Sequence, residues 1–256
     1  MNLSKGRLTL AAAFAIAAAA MAVPVPGAIQ APPLSWTARA PQVVAGETPP
    51  AAGETADSVR NALSTSLGRV QTAEAELEMH QRDKKRNKPR HKGGTILLAR
   101  SRGAKIDLTD QKGRREEFHA DGDVIHAYDA KDKEVTRIST GLPVVRDFAA
   151  AAMKLDVLRA LTGSALALKG TATVDGEPCW VMEGRSPADL KLVGVPVVKM
   201  TVYAAKADGL PRRILIPEER GLELAFRGVR VNQPMPPDRL AWKKPKGAKE
   251  KGILGF

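Results

Sequence analysis

A single cysteine, Cys179, occurs in the 256-residue chain, so no intramolecular disulfide can form and a disulfide-built scaffold is excluded. Aromatic residues are only 4% of the sequence, and neither lysine-rich stretch, "RDKKRNKPRHK" (82–92) or "PKGAKEK", contains one. A single-strand nucleic-acid binder interleaves stacking rings with its cations, so nucleic acid is not an expected partner. The four histidines, His80, His91, His119 and His126, show no HxH, HExxH or Cys/His spacing, and no metal or other cofactor is expected. Ser164 in "TGSAL" lacks the flanking glycines of a nucleophile elbow. Glu116 and Glu117 are neighbours on a strand and point to opposite faces, which separates them as an acid–base pair. Asp121 and Asp123 lack the further oxygen ligands of a calcium loop and read as a hairpin turn. The chain is expected not to be an enzyme.

One long hydrophobic run exists, at the N-terminus. Lys5 and Arg7 precede an uncharged stretch from Leu8 to Ala20-Met21-Ala22, the small-x-small pattern of a signal-peptidase site. At about 15 residues the run is short of the roughly 20 that span a bilayer. Residues 1–22 are therefore expected to be a signal peptide, and 23–56, rich in Pro, Ala and Gly, a flexible tether. The net charge of +12 is unevenly spread. Residues 82–92 carry seven Lys or Arg and one Asp, and "KKPKGAKEK" (243–251) carries five Lys and one Glu. Together they account for the charge of everything after residue 22, so the remainder is neutral. Such blocks are either solvated appendages or contacts for anionic head groups.

The pattern between these segments is mainly β. "DSVRNALSTSLGRV" places Val59, Leu63, Leu67 and Val70 at helical spacing, with Asp57 as expected cap and Gly68 near the end. "RDFAAAAMKLDVLRALTG" predicts a second helix, from Asp147 to Gly163, with one apolar side. Eleven further segments, including the alternating "AKIDLTD", read as strands in the order helix, six strands, helix, five strands. Connections such as "AKDK", "VDGE" and "ADGLP" suit only antiparallel hairpins. In "GLELAFRGVRV" the apolar positions switch from even (Leu222, Leu224, Phe226) to odd (Val229, Val231) across Gly228, the mark of a β-bulge. The expected fold class is α+β, mainly β: a strongly curved antiparallel sheet, an incomplete barrel of about eleven strands, covered by a few helices.

Such a sheet has more inner surface than two or three short helices can fill, which leaves two readings of its apolar face. It is either an ordinary packed core or the wall of a cavity for acyl chains, lined by Ile96, Leu98, Ile106, Leu108, Met182, Val198, Met200, Val202, Leu222, Leu224 and Phe226, with Phe148, Leu155 and Leu158 from the second helix.

The order "GGTILLARSRGAKIDL", "FHADGDVIHAYDAKDKEVTRI", a helix, then "GLPRRILIPEERGLELAFRGVRVNQPMPPDRLAWKKPKG" resembles the LolA-like lipoprotein carriers of the periplasm, the matching positions being Gly94, Asp121, Gly122, Tyr128, Asp129, Asn232, Leu240, Trp242, Pro245 and Gly247. The likeness implies a half-barrel domain over 57–245, followed by a basic tail at 246–256. It also implies an apolar cavity for lipoprotein acyl chains or phospholipid, in a periplasmic monomer that carries them towards the outer membrane. The family's proline and latch arginine fall on Ser101 and Lys105, and a lysine lacks the forked donors that would hold a lid in the same way. Lys84, Lys85, Arg86, Lys88 and Arg90 are the expected contacts for head groups or an inner- or outer-membrane protein. The alternative is an envelope sensor of the same superfamily, binding lipid and a membrane regulatory protein.

Overall fold

The computed structural model describes residues 44–82, 89–100, 102–121, 124–139, 167–185, 199–217 and 221–252. Among them are thirteen strands: β1 (Val44–Thr48), β2 (Thr72–Arg82), β3 (Pro89–Ala99), β4 (Gly103–Asp110), β5 (Arg115–Ala120), β6 (Val124–Asp129), β7 (Glu134–Ser139), β8 (Ala167–Val174), β9 (Glu177–Arg185), β10 (Lys199–Ala205), β11 (Pro211–Ile216), β12 (Leu222–Val231) and β13 (Lys249–Gly252). Two helices accompany them, α1 (Ala56–Gly68) and the short α2 (Pro237–Leu240). All strands form one sheet in the order β1-β8-β9-β10-β11-β12-β2-β3-β4-β5-β6-β7-β13. Its two edges do not meet, so the sheet is an open, mainly β structure of the expected class. So many strands do not stay flat, because each is rotated by some 20° on its neighbour.

The eleven expected strands are β2 to β12; consecutive strands pair antiparallel from β2 to β7 and from β8 to β12, β7 and β8 lie near opposite edges of the sheet, and β12 pairs antiparallel with β2 to join the two runs. Each has a local cause. The β8–β9 turn consists of Asp175 and Gly176, both at positive φ (48° and 86°), the two-residue turn whose twist matches its strands. The Asp129 carboxylate accepts the Lys131 N–H at 2.8 Å and turns the chain out of β6. Arg227 lies opposite Glu76 and Arg230 opposite Glu74, so Gly228 and Val229 face the single residue Ala75. This is the expected bulge, with Gly228 at φ 54°, and it returns Val229 and Val231 to the core side.

The helix α1 buries Val59, Leu63 and Leu67. Its cap is Thr55 rather than Asp57: the Thr55 hydroxyl accepts the Ser58 N–H at 3.1 Å, while Ser58 Oγ accepts the Thr55 N–H at 2.9 Å. Asp57 instead pairs with Arg60 on the surface.

Three expected boundaries are corrected. The expected tether runs to residue 56, but Val44–Thr48 pairs with β8, Val44 packs on the Val174–Tyr203 cluster, and Glu47 accepts the Tyr203 hydroxyl at 2.6 Å. The expected tail at 246–256 contains β13, parallel to β7. The basic stretch 82–92 is no appendage at its ends, since Arg82 and Pro89–Lys92 continue β2 and β3. Residues 1–22, the second predicted helix and Ser101 lie outside the described residues.

Candidate functional site

Alternation decides which side chains meet on the sheet. On β2 the residues Ala73, Ala75, Leu77 and Met79 face one way, while Thr72, Glu74, Glu76 and Glu78 face the other. Carried through the register, the first set forms a continuous apolar wall. Of the fourteen expected wall residues, Ile96, Leu98, Ile106, Leu108, Met182, Met200, Val202, Leu222, Leu224 and Phe226 are all buried in one cluster on this inner face. Val198, Phe148, Leu155 and Leu158 lie outside the described residues. Leu77, Met79, Phe118, Trp180, Ile214 and Ile216 are not among the expected residues, yet they share the cluster and carry the same period-two signal.

The helix α1 lies across one end of this wall. Its Leu63 and Leu67 side chains pack beside Gly209 between β10 and β11, and its Leu67 carbonyl accepts Arg100 Nη2 at 3.1 Å after β3. Ahead of it, Glu54 accepts Trp180 Nε1 at 3.1 Å and Lys206 Nζ at 2.7 Å. Asn232 closes the same end: at φ 57° it stops β12, its Nδ2 donates to the Arg69 carbonyl at 3.1 Å, and its Oδ1 accepts the Gln71 N–H. The opposite end, where β2 and β3 run on towards 83–88, has a polar rim. There Lys92 pairs with Glu116, which sits beside Leu108 on the inner side. Arg90, exposed in β3, is near this rim; Lys84, Lys85, Arg86 and Lys88 are outside the described residues.

The outer face is polar and ion-paired. A groove of ≈ 550 Å³ there is lined by Leu97, Lys105, Asp107, Arg115 and Glu117 on the sheet and by Asp238, Arg239, Ala241 and Lys243 to Pro245 of the C-terminal segment. Lys105 lies on this side, 3.1 Å from Glu117, and not towards the apolar wall. Arg115 pairs with both Asp107 and Glu117. Leu240 packs on Leu97, Ala99 and Met235, and Trp242 stacks on His126 at 4.7 Å. Cys179 is buried on the outer side of β9, and burial pushes its thiol up to about 11, which keeps it unreactive at neutral pH.

No family model matches the sequence, and no curated protein matches it. Among solved structures, an uncharacterized conserved protein from Thermus thermophilus is 14% identical over 77% of this chain and 98% of its own, with a TM-score of 0.49. The Pseudomonas aeruginosa MucA/MucB complex is 15% identical over 72% of this chain and 59% of the matched one (TM-score 0.40). A LolA superfamily protein from Nitrosomonas europaea is 10% identical over 74% and 99% (TM-score 0.37).

Proposed function

We propose that the chain is a periplasmic carrier that holds the acyl chains of lipoproteins or lipids against the inner face of the sheet and passes them towards the outer membrane. The observation that supports this most is the apolar wall. Side chains from β2–β5 and β9–β12, with Val59, Leu63 and Leu67 of α1, form one contiguous apolar cluster in which no member is more than 8% exposed, and the small Ala73, Ala75 and Ala104 are among them, so cargo would enter by parting this cluster. Each methylene that leaves water for such a surface contributes about 0.8 kcal/mol, so a single acyl chain supplies ample driving force. With α1 at one end, cargo would enter at the other, where Arg90 is exposed and Lys92, paired with Glu116, can meet an anionic head group.

Native mass spectrometry of the protein gently released from cells tests the reading. Lipid-sized adducts that disappear on delipidation and return from micelles are expected. A mass equal to the bare polypeptide, with no uptake, contradicts it. The basic sequence of residues 83–88 favours a second reading, a sensor docking on a membrane regulatory protein. Removing residues 83–88 separates the two: a sensor loses its protein partner while lipid uptake is unchanged.

A further inference from the structure

The register of β5 and β6 brings together three residues that no linear motif connects. His119 stands opposite His126, and Asp121 follows His119 by two residues. Each offers one ligand atom, and these atoms lie within 4.8 Å of one another. His119 is buried, and its Nε2 makes a short contact with the Leu240 carbonyl. A carbonyl oxygen can only accept, so Nε2 carries the hydrogen and Nδ1 keeps its lone pair. That Nδ1 is buried and makes no hydrogen bond; Nδ1 of His126 is in the same condition. Asp121 is exposed, and its Oδ1 is oriented by the Val124 N–H at 3.0 Å.

We propose that His119, His126 and Asp121 form a binding site for a divalent transition-metal ion, zinc by the character of its donors. Two neutral imidazoles and a carboxylate are a zinc donor set, and metal-bound histidines commonly donate their second N–H to a backbone carbonyl, as His119 does to Leu240. Ligand atoms all within 4.8 Å of one another stand near the roughly 3.3 Å separations of a tetrahedral zinc site. The exposed side of Asp121 leaves room for water as a further ligand. Metal here would pin His119, and through Leu240 and Trp242 the C-terminal segment, to the outer face of the sheet. Two cations share this face with the site: Lys105, opposite His119, is paired with Glu117, and Arg137 stands opposite His126.

A second cluster, Glu78, His80 and His91, meets the same distance criterion but is less suited. Its imidazoles stack almost flat, 4.3 Å apart at 12°, and Arg227 Nε stands 3.5 Å from the Glu78 carboxylate, where a metal would have to compete with it. It serves as the internal control.

Chelator-treated full-length protein titrated with zinc chloride in a calorimeter should take up one equivalent. Asp121→Asn, at an exposed position that leaves the fold intact, and His126→Ala should each weaken zinc binding by about tenfold or more. His80→Ala should leave it unchanged. Cobalt(II) should give tetrahedral absorption bands in the parent and not in His126→Ala. Undiminished affinity in Asp121→Asn, no binding by the parent, or loss of binding only in His80→Ala would each overturn the assignment. This inference is independent of the lipid-carrier reading, because none of the three ligands belongs to the apolar wall.

Discussion

At Gly94 an added Cβ would stand 1.8 Å from the Asp107 carbonyl oxygen, a backbone atom that cannot step aside without parting β3 from β4. Gly94→Ala should therefore destabilise the fold by about 3 kcal/mol, the upper range for overpacking, as read from chemical denaturation. Asn232 is the complementary case, a side chain that works through hydrogen bonds. Asn232→Ala loses the bonds to Arg69 and Gln71 and leaves a non-glycine residue at φ 57° without local compensation. A loss of about 2–3 kcal/mol is expected, measured the same way. Both residues are visible in the sequence, and the structure supplies a physical reason for each. The residues of the outer-face histidine cluster are in plain view in the sequence, yet their pairing is not. It depends on which residue of β6 lies opposite His119, and register is a tertiary property.

Among the elements, the C-terminal segment is held by charge as well as by Leu240. Glu74 on β2 accepts both Arg239 Nη1 and Nη2, at 3.0 and 2.9 Å, and pairs with Arg230 at 3.0 Å. Desolvation pushes the Glu74 carboxyl up, but the two guanidinium groups outweigh it, and the net shift is downward. A carboxyl held below its unfolded value contributes stability that is complete above about pH 4.5 and is lost as pH falls through the folded value. Glu74→Gln should be less stable at pH 7 and show a shallower loss below pH 4.5, followed by thermal melts across that range. Strands β2 to β12 are legible in the sequence because each carries alternation or turn chemistry. Neither "VAGET" nor "KEKG" has an apolar period, and β1 and β13 join the sheet at its edges through backbone pairing, for which composition gives no signal. The cap of α1 falls two residues before its expected place for a related reason, since Thr55 and Asp57 both have the side chain a cap needs and only the backbone geometry chooses between them.

At the scale of the whole molecule, the two faces of one open sheet have different work. The outer face is closed by ion pairs and the C-terminal segment, while the inner one is hydrocarbon from β5 to β9. The wall residues are readable from the sequence because the side-chain period of two holds along the strands that carry them, up to the bulge at Gly228 in β12. The same period serves a packed core equally well, so the sequence alone does not separate core from cavity wall. Cross-linking with a fatty acid carrying a diazirine near its methyl end separates them directly. After irradiation and peptide mapping, the account predicts labels on Met182, Met200, Leu224 and Phe226. Labels on outer-face residues such as Leu97 or Tyr203, or no label above a protein-free control, would contradict it.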